Sequence, residues 1–87
     1  MERYTENKLS IIIPTYNEAE NIVKLLKEII AALDNKNFEI IVVDDNSEDS
    51  TASKIEKNFK NEKKIKLIRR KQKRDLVQSI KLALQTI

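Results

Sequence analysis

The 87-residue chain contains no glycine, no cysteine, no histidine and no tryptophan, and only one proline. Average usage would supply roughly six glycines. Without them, any backbone position that needs a positive φ falls to Asn or Asp. The lack of cysteine excludes disulfides, thiol nucleophiles and thiolate metal sites, and suits a reducing compartment. The lack of histidine excludes imidazole chemistry, so a metal would have to be a hard cation held by carboxylates. No apolar run approaches the roughly 18 residues that span a bilayer, and Met1-Glu-Arg-Tyr-Thr-Glu-Asn7 has none of the features of a signal peptide.

What the chain does have is charge, unevenly placed. Residues 1–59 carry 7 basic and 12 acidic groups, net −5, and residues 60–87 carry 10 basic and 2 acidic, net +8, which together give the overall +3. A basic tail on an acidic body suits a phosphate-bearing partner, although a solvated face is the commoner cause of a charge run. The length allows one domain, residues 1–87, near the lower limit at which a core alone supports folding.

Two short apolar runs, each ending abruptly in polar residues, organise the rest. Lys8-Leu-Ser-Ile-Ile-Ile-Pro-Thr-Tyr-Asn-Glu18 is echoed by Phe38-Glu-Ile-Ile-Val-Val-Asp-Asp-Asn-Ser47. Such β-branched runs are too short for buried helices and read as strands covered on both faces. The spacing predicts a first strand over 9–13, ended by Pro14, and a second over 38–43, followed by a loop Asp44–Ser50. Ile22, Leu25, Leu26, Ile29, Ile30 and Leu33 form an amphipathic helical stripe. Asn17 and Glu20 have the spacing of a capping box before it, and the Asp34–Asn37 cluster offers an Asn for a left-handed cap after it. A second helix is expected over 51–60 with Ala52, Ile55 and Phe59 inward, then a third strand over 65–70. A third helix should run from about 76 to the end, capped by Asp75 with Gln78, with Leu76, Ile80, Ala83, Leu84 and Ile87 inward. The order β-α-β-α-β-α with short connections implies a parallel sheet. The polar tips Pro14–Glu18 and Asp44–Ser47 would then meet at the carboxyl ends of the strands, where such sheets bind ligands. The chain stops in or just after a helix without a cap, as a truncated domain would.

Ile12-Ile-Pro-Thr-Tyr-Asn-Glu18, then Ile41-Val-Val-Asp-Asp-Asn-Ser-Glu-Asp-Ser-Thr51, then Leu67-Ile-Arg-Arg-Lys-Gln-Lys-Arg-Asp-Leu76 resemble the family 2 glycosyltransferases, most of all the dolichol-phosphate (polyprenol-phosphate) mannosyltransferase group. The likeness runs over residues 9–87. It implies the nucleotide-binding half of a three-layer, Rossmann-like GT-A fold. It also implies a role in transferring a hexose, mannose or glucose, from a GDP- or UDP-sugar to a polyprenyl phosphate. By this resemblance, Pro14, Tyr16 and Glu18 hold the base and ribose, and Val43 and Asp45 also contact the nucleotide. The chemistry is coherent: Asp45 can accept from a base N–H, Glu18 from ribose hydroxyls, and Tyr16 offers a stacking face. The start of the first helix would add backbone N–H donors. Taken singly, each residue has a plainer use: Pro14 ending a strand, Glu18 favouring a helix dipole, Asp44 and Asp45 capping turns, Tyr16 lying on the surface.

The chain departs from the family pattern in three ways. The Asp-x-Asp motif that holds a divalent ion on the diphosphate has no counterpart in these residues, and neither do the acceptor-side residues. This chain alone is therefore expected to hold no cofactor and to be non-catalytic, with Mg or Mn needed only by a complete family member. The family's Asp-Asp-Gly-Ser is Asp44-Asp-Asn-Ser47 here, a mild change because Asn tolerates positive φ. The family's Lys-Arg-Gly-Leu is Lys73-Arg-Asp-Leu76, which puts a carboxylate in a basic loop expected near the diphosphate. The resemblance also implies that Ile11–Ile13 lie on an exposed apolar edge, to be covered by a partner chain supplying the strand that the family places there. The expected location is cytoplasmic, peripheral at the cytoplasmic membrane face through the complete enzyme's lipid acceptor. The competing readings are a small basic nucleic-acid binder, disfavoured because no aromatics interleave with Lys63–Arg74, and a partner subunit of a complete transferase.

Overall fold

The computed structural model describes the backbone of residues 2–5 and residues 8–87 in full. Four strands form one sheet in the order β1-β2-β3-β4: β1 (Glu2–Thr5), β2 (Lys8–Thr15), β3 (Phe38–Asp45) and β4 (Ile65–Arg70). Strands β2, β3 and β4 run parallel, with Ile12 opposite Ile41 and Val43 opposite Ile68. Helices α1 (Ile22–Ala32) and α2 (Thr51–Asn58) cover one face and α3 (Leu76–Thr86) the other, giving three layers.

Alternation along each strand sorts the core into two. Phe38, Ile40 and Val42 pack with Ile22, Leu26 and Ile55 beneath α1 and α2. Ile12, Ile41 and Val43 pack with Ala83 beneath α3. Central β3 is buried along its whole length, and each of its large aliphatic side chains contributes about 1.5–3 kcal/mol through burial. At the amino end of the sheet, Glu39 is buried among polar neighbours. It lies 3.0 Å from the Lys8 ammonium and 3.1 Å from that of Lys66, and accepts from the Ser10 hydroxyl, so it ties β2, β3 and β4 together. Burial alone would raise its pKa, but the two ammonium groups outweigh that and hold the carboxyl below its usual range.

Several expectations are corrected. Strand β1 was not foreseen; it pairs antiparallel with β2 from Lys8 to Ile11, so part of the edge expected to lie bare is covered from within the chain. Pro14 does not end β2 but sits inside it opposite Val43. Among the described residues the β1 ladder runs from Lys8 to Ile11, and at Pro14, three positions further on, a missing N–H forfeits no bond of that ladder. Asp44 and Asp45 are the last residues of β3 rather than loop. The first helix ends at Leu33 with negative φ, and the left-handed conformation expected among Asp34–Asn37 is not used. Leu25, Leu76 and Ile87, expected to face inward, are exposed; on α3 the fully buried positions are Ser79 and Ala83.

Candidate active site

The carboxyl ends of the three parallel strands are joined by hydrogen bonds rather than by apolar packing, and Asp44 and Asp45 divide the work. Asp44 points toward the α1–α2 side. It accepts from the Thr15 hydroxyl at 3.2 Å and from the Ser47 amide and hydroxyl, which closes the turn after β3. Asp45 points toward α3 and binds the β4–α3 loop: its Oδ1 accepts from Arg70 Nη1 at 2.7 Å and its Oδ2 from the Asp75 amide at 2.7 Å. Arg70 also donates to the Lys73 carbonyl, which folds residues 71–75 back over the strand ends. Burial would push the Asp45 carboxyl up, but Arg70 and the Asp75 amide hold it below the usual carboxylate range. The buried Ser79 hydroxyl faces Asp45 without a hydrogen bond of regular geometry.

The turn after β2 is clasped to the turn after β3. Asn17 does not cap α1. At φ 53° it takes the left-handed conformation, donates its amide to Ser47 Oγ at 2.9 Å, and accepts on Oδ1 from the amides of Glu48 and Asp49. The Glu18 amide donates to Thr51 Oγ1, and the Ala19 amide to Asp49 Oδ2. Asp49 in turn receives the Thr51 hydroxyl and amide, which hold its carboxyl below the usual range. The amides of Asn17, Glu18, Ala19, Asn21 and Ile22, at the start of α1 where donors open to a ligand were expected, are therefore engaged within the protein. The other residue with positive φ is Asn46, at 61°. It stands where the family pattern has glycine, and with Asn17 it fulfils the expectation that Asn would take glycine's place.

This scaffold leaves a small cleft of about 100 Å³ lined by Pro14, Thr15, Tyr16, Glu18, Asp45, Arg74 and Leu76. Four of the five residues singled out in the sequence meet there. Val43 does not: its side chain is wholly buried beneath α3, so it can only support the cleft from below. Glu18 is exposed, and its carboxylate has no partner among the described residues. Tyr16 carries the Arg74 guanidinium over its ring, 4.5 Å from the centroid. Arg74, Thr15 and Leu76 were not singled out as lining residues; Arg74 and Leu76 stood in the Lys73–Leu76 stretch expected near the diphosphate, but the place of Arg74 against Tyr16 depends on how Asp45 folds the loop. A larger groove of about 650 Å³ lies at the far ends of α1 and α2, lined by lysines and asparagines, Asp34, Glu62 and the apolar Ile30, Ala31 and Phe59.

A parallel α/β arrangement with a polar cleft at the carboxyl ends of its strands is the layout in which open α/β sheets bind ligands. The profile of glycosyl transferase family 2 matches residues 10–86, and the chain belongs to that family. The dolichol-phosphate mannosyltransferase of Pyrococcus furiosus is 42% identical over 73 residues, 84% of this chain and 20% of that protein. The undecaprenyl-phosphate 4-deoxy-4-formamido-L-arabinose transferase of Edwardsiella ictaluri is 48% identical over 46 residues, 51% of this chain and 14% of its own. Among solved structures, the mannosyltransferase PcManGT from Pyrobaculum calidifontis in complex with GDP-Man and Mn2+ superimposes over 97% of this chain and 25% of its own, with TM-score 0.78 and 27% identity. The three parallel strands and three helices thus match the GT-A glycosyltransferase fold. The chain spans a quarter or less of each of these proteins.

The metal of that complex has no fitting ligand set among the described residues. No group of three or more Asp, Glu, His or Cys is placed to hold an ion. Asp44 and Asp45 are committed to hydrogen bonds within the protein, and Glu18 stands alone. Among the described residues, no helix is long and apolar enough to cross a membrane.

Proposed function

We propose that this chain forms the base-and-ribose part of a sugar-nucleotide site in a family 2 glycosyltransferase that uses a polyprenyl phosphate acceptor. The observation that carries this reading is the convergence of Pro14, Tyr16, Glu18 and Asp45, from the ends of two strands, on one cleft beside an unpaired cation. Glu18 has a free carboxylate for ribose hydroxyls. Tyr16 offers a ring for the base, and Pro14 a rigid wall. Asp45 keeps lone pairs beyond the two it gives to Arg70 and Asp75, so it can still accept from a base N–H. Relatives that act on dolichol phosphate or undecaprenyl phosphate, and a structural neighbour that binds GDP-Man, support the same substrate classes. Catalysis is assigned to a complete enzyme in which a metal neutralises the diphosphate leaving group. Its lipid acceptor would bring that enzyme to the cytoplasmic membrane face, and a partner chain could pair with β2 beyond Ile12.

Calorimetric titration of the chain with GDP and with UDP tests the reading, with a single-stranded oligonucleotide as control. Saturable binding of a nucleoside diphosphate, lost in Tyr16→Ala and weakened in Glu18→Ala, is the expected result. Binding of the oligonucleotide without either diphosphate would transfer the function to the basic tail. Lys66, Arg69 and Arg70 are ion-paired with Glu39, Glu56 and Asp45, so that outcome would rest on the other seven basic groups of residues 60–87.

A further inference from the structure

The cleft as it stands is too small for the ligand assigned to it. Sites for small molecules and cofactors usually enclose about 300–1,000 Å³, and this one encloses about 100 Å³. One of its walls is Arg74. Its guanidinium lies on the face of Tyr16, at 4.5 Å within the ~6 Å reach of a cation–π contact. It is the only cation among the residues that line the cleft. Arg74 makes no ion pair or hydrogen bond through its side chain among the described residues, although the cleft also holds the carboxylates of Glu18 and Asp45. Asp75 beside it is turned away, with its carboxylate accepting from the Gln78 amide at 3.3 Å. The backbone on either side is fixed: the Lys73 carbonyl is held by Arg70 and the Asp75 amide by Asp45. Arg74 is thus a long, unpaired side chain on an anchored loop, free to turn about its own bonds while its Cα stays in place.

Resting on the nucleotide reading above, we infer that Arg74 is the residue that makes this site prefer a nucleoside diphosphate to a nucleoside. In this structure it covers the stacking face of Tyr16. A ligand carrying both an aromatic base and phosphate offers the two things needed to move it: a ring to replace the guanidinium on Tyr16, and an anion to receive it. A nucleoside offers only the ring, so it must break the cation–π contact with no new partner for the charge. The guanidinium suits phosphate because its planar fork donates two parallel hydrogen bonds.

The test compares the chain with Arg74→Ala and Arg74→Lys by calorimetry against GDP, guanosine, UDP and uridine. An exposed cation–π contact is worth enough that removing it should tighten nucleoside binding by about 2–5-fold in Arg74→Ala. The same variant should bind the diphosphate about fivefold or more weakly, from the loss of a charge-assisted hydrogen bond. Arg74→Lys should retain part of the preference. Urea midpoints of the variants should lie close to the parent's, lower by no more than the cation–π contact supplies, because no hydrogen bond or ion pair among the described residues uses this side chain. By NMR, the Arg74 side-chain protons should be shifted upfield by the Tyr16 ring in the free chain and should lose that shift when GDP or UDP saturates the site. Equal effects of Arg74→Ala on diphosphate and nucleoside, or an upfield shift that survives saturation, would overturn the inference and leave the nucleotide site standing. Failure of the parent chain to bind any of the four would overturn both.

Discussion

Replacing Asp45 by Asn should cost this small domain a large part of its stability. The side chain is 5% exposed and that of its partner Arg70 is 10% exposed, with 2.7 Å between Nη1 and Oδ1. Asn keeps the shape and one acceptor, but leaves the guanidinium buried beside a neutral amide. Removing one member of such a pair costs about 3–5 kcal/mol, and the retained acceptor places the expected loss near the lower end, about 3 kcal/mol. The whole chain, at ~0.05–0.15 kcal/mol per residue, is stable by only about 4–13 kcal/mol. Urea unfolding followed by circular dichroism should show the midpoint fall sharply with the slope unchanged. The pH dependence fixes the cause. The folded-state pKa of Asp45 lies below its ordinary value of 3.8, so its contribution is complete above that value and is lost as pH falls through the lower folded-state value. The gap between the parent and Asp45→Asn should therefore be constant from pH 7 to about pH 5 and should narrow below about pH 4. Using the gap rather than the absolute stability removes Glu39 and Asp49, whose carboxyls are also held below their usual range. A loss under about 0.5 kcal/mol at pH 7, or a gap that does not narrow in acid, would refute the account of Asp45 as the anchor of the β4–α3 loop.

The two left-handed asparagines should respond differently to glycine. Asn46 has no side-chain partner among the described residues, so Asn46→Gly should be neutral or stabilising by up to about 1 kcal/mol, whereas Asn17→Gly forfeits the acceptor for Glu48 and Asp49 and should destabilise by about 1–2 kcal/mol in the same urea assay. Asp75→Gly should lower stability by only a few tenths of a kcal/mol, since Gly is a tolerable N-cap, and should tighten diphosphate binding by removing a negative charge from the loop; calorimetry showing no gain would count against that loop lying near phosphate.

Much of the sheet was legible because its strands are apolar runs with abrupt polar ends, and β4 was placed at Ile65–Arg70 by the mix of alternation and continuous run at Ile65, Leu67 and Ile68. Helix α3 was equally readable at its start, where Asp75 accepts from the Gln78 amide as the spacing suggests. What could not be read was anything that depends on partners distant in the chain. Strand β1 is four residues with no apolar pattern, and it exists only because β2 presents an edge. Asn17 fits a capping box by spacing, yet its amide and carbonyl oxygen are drawn to residues thirty and more positions later. In the cleft, the residue types at Pro14, Tyr16 and Glu18 announced themselves, but Val43's burial and Arg74's seat on Tyr16 follow from the packing of α3 and the Asp45 anchor. Neither leaves a local signal.

The rung formed by Lys8, Glu39 and Lys66 has a consequence for how the chain finds this structure. Ile11–Ile13 and Ile40–Val43 are nearly uniform, so sliding one strand past the other by a residue or two would still bury hydrocarbon against hydrocarbon. Such sequences specify alignment weakly, and parallel strands form late because each needs a long crossover first. A one-residue slip, however, would turn Glu39 into the apolar layer beneath α1 and carry it away from both ammonium groups. At the other end of the same strand, Asp45 would lose Arg70. The charged residues that bracket four featureless aliphatic ones act as the marks on a ruler, and misaligned pairings are rejected by the cost of a stranded carboxylate before the cleft has formed.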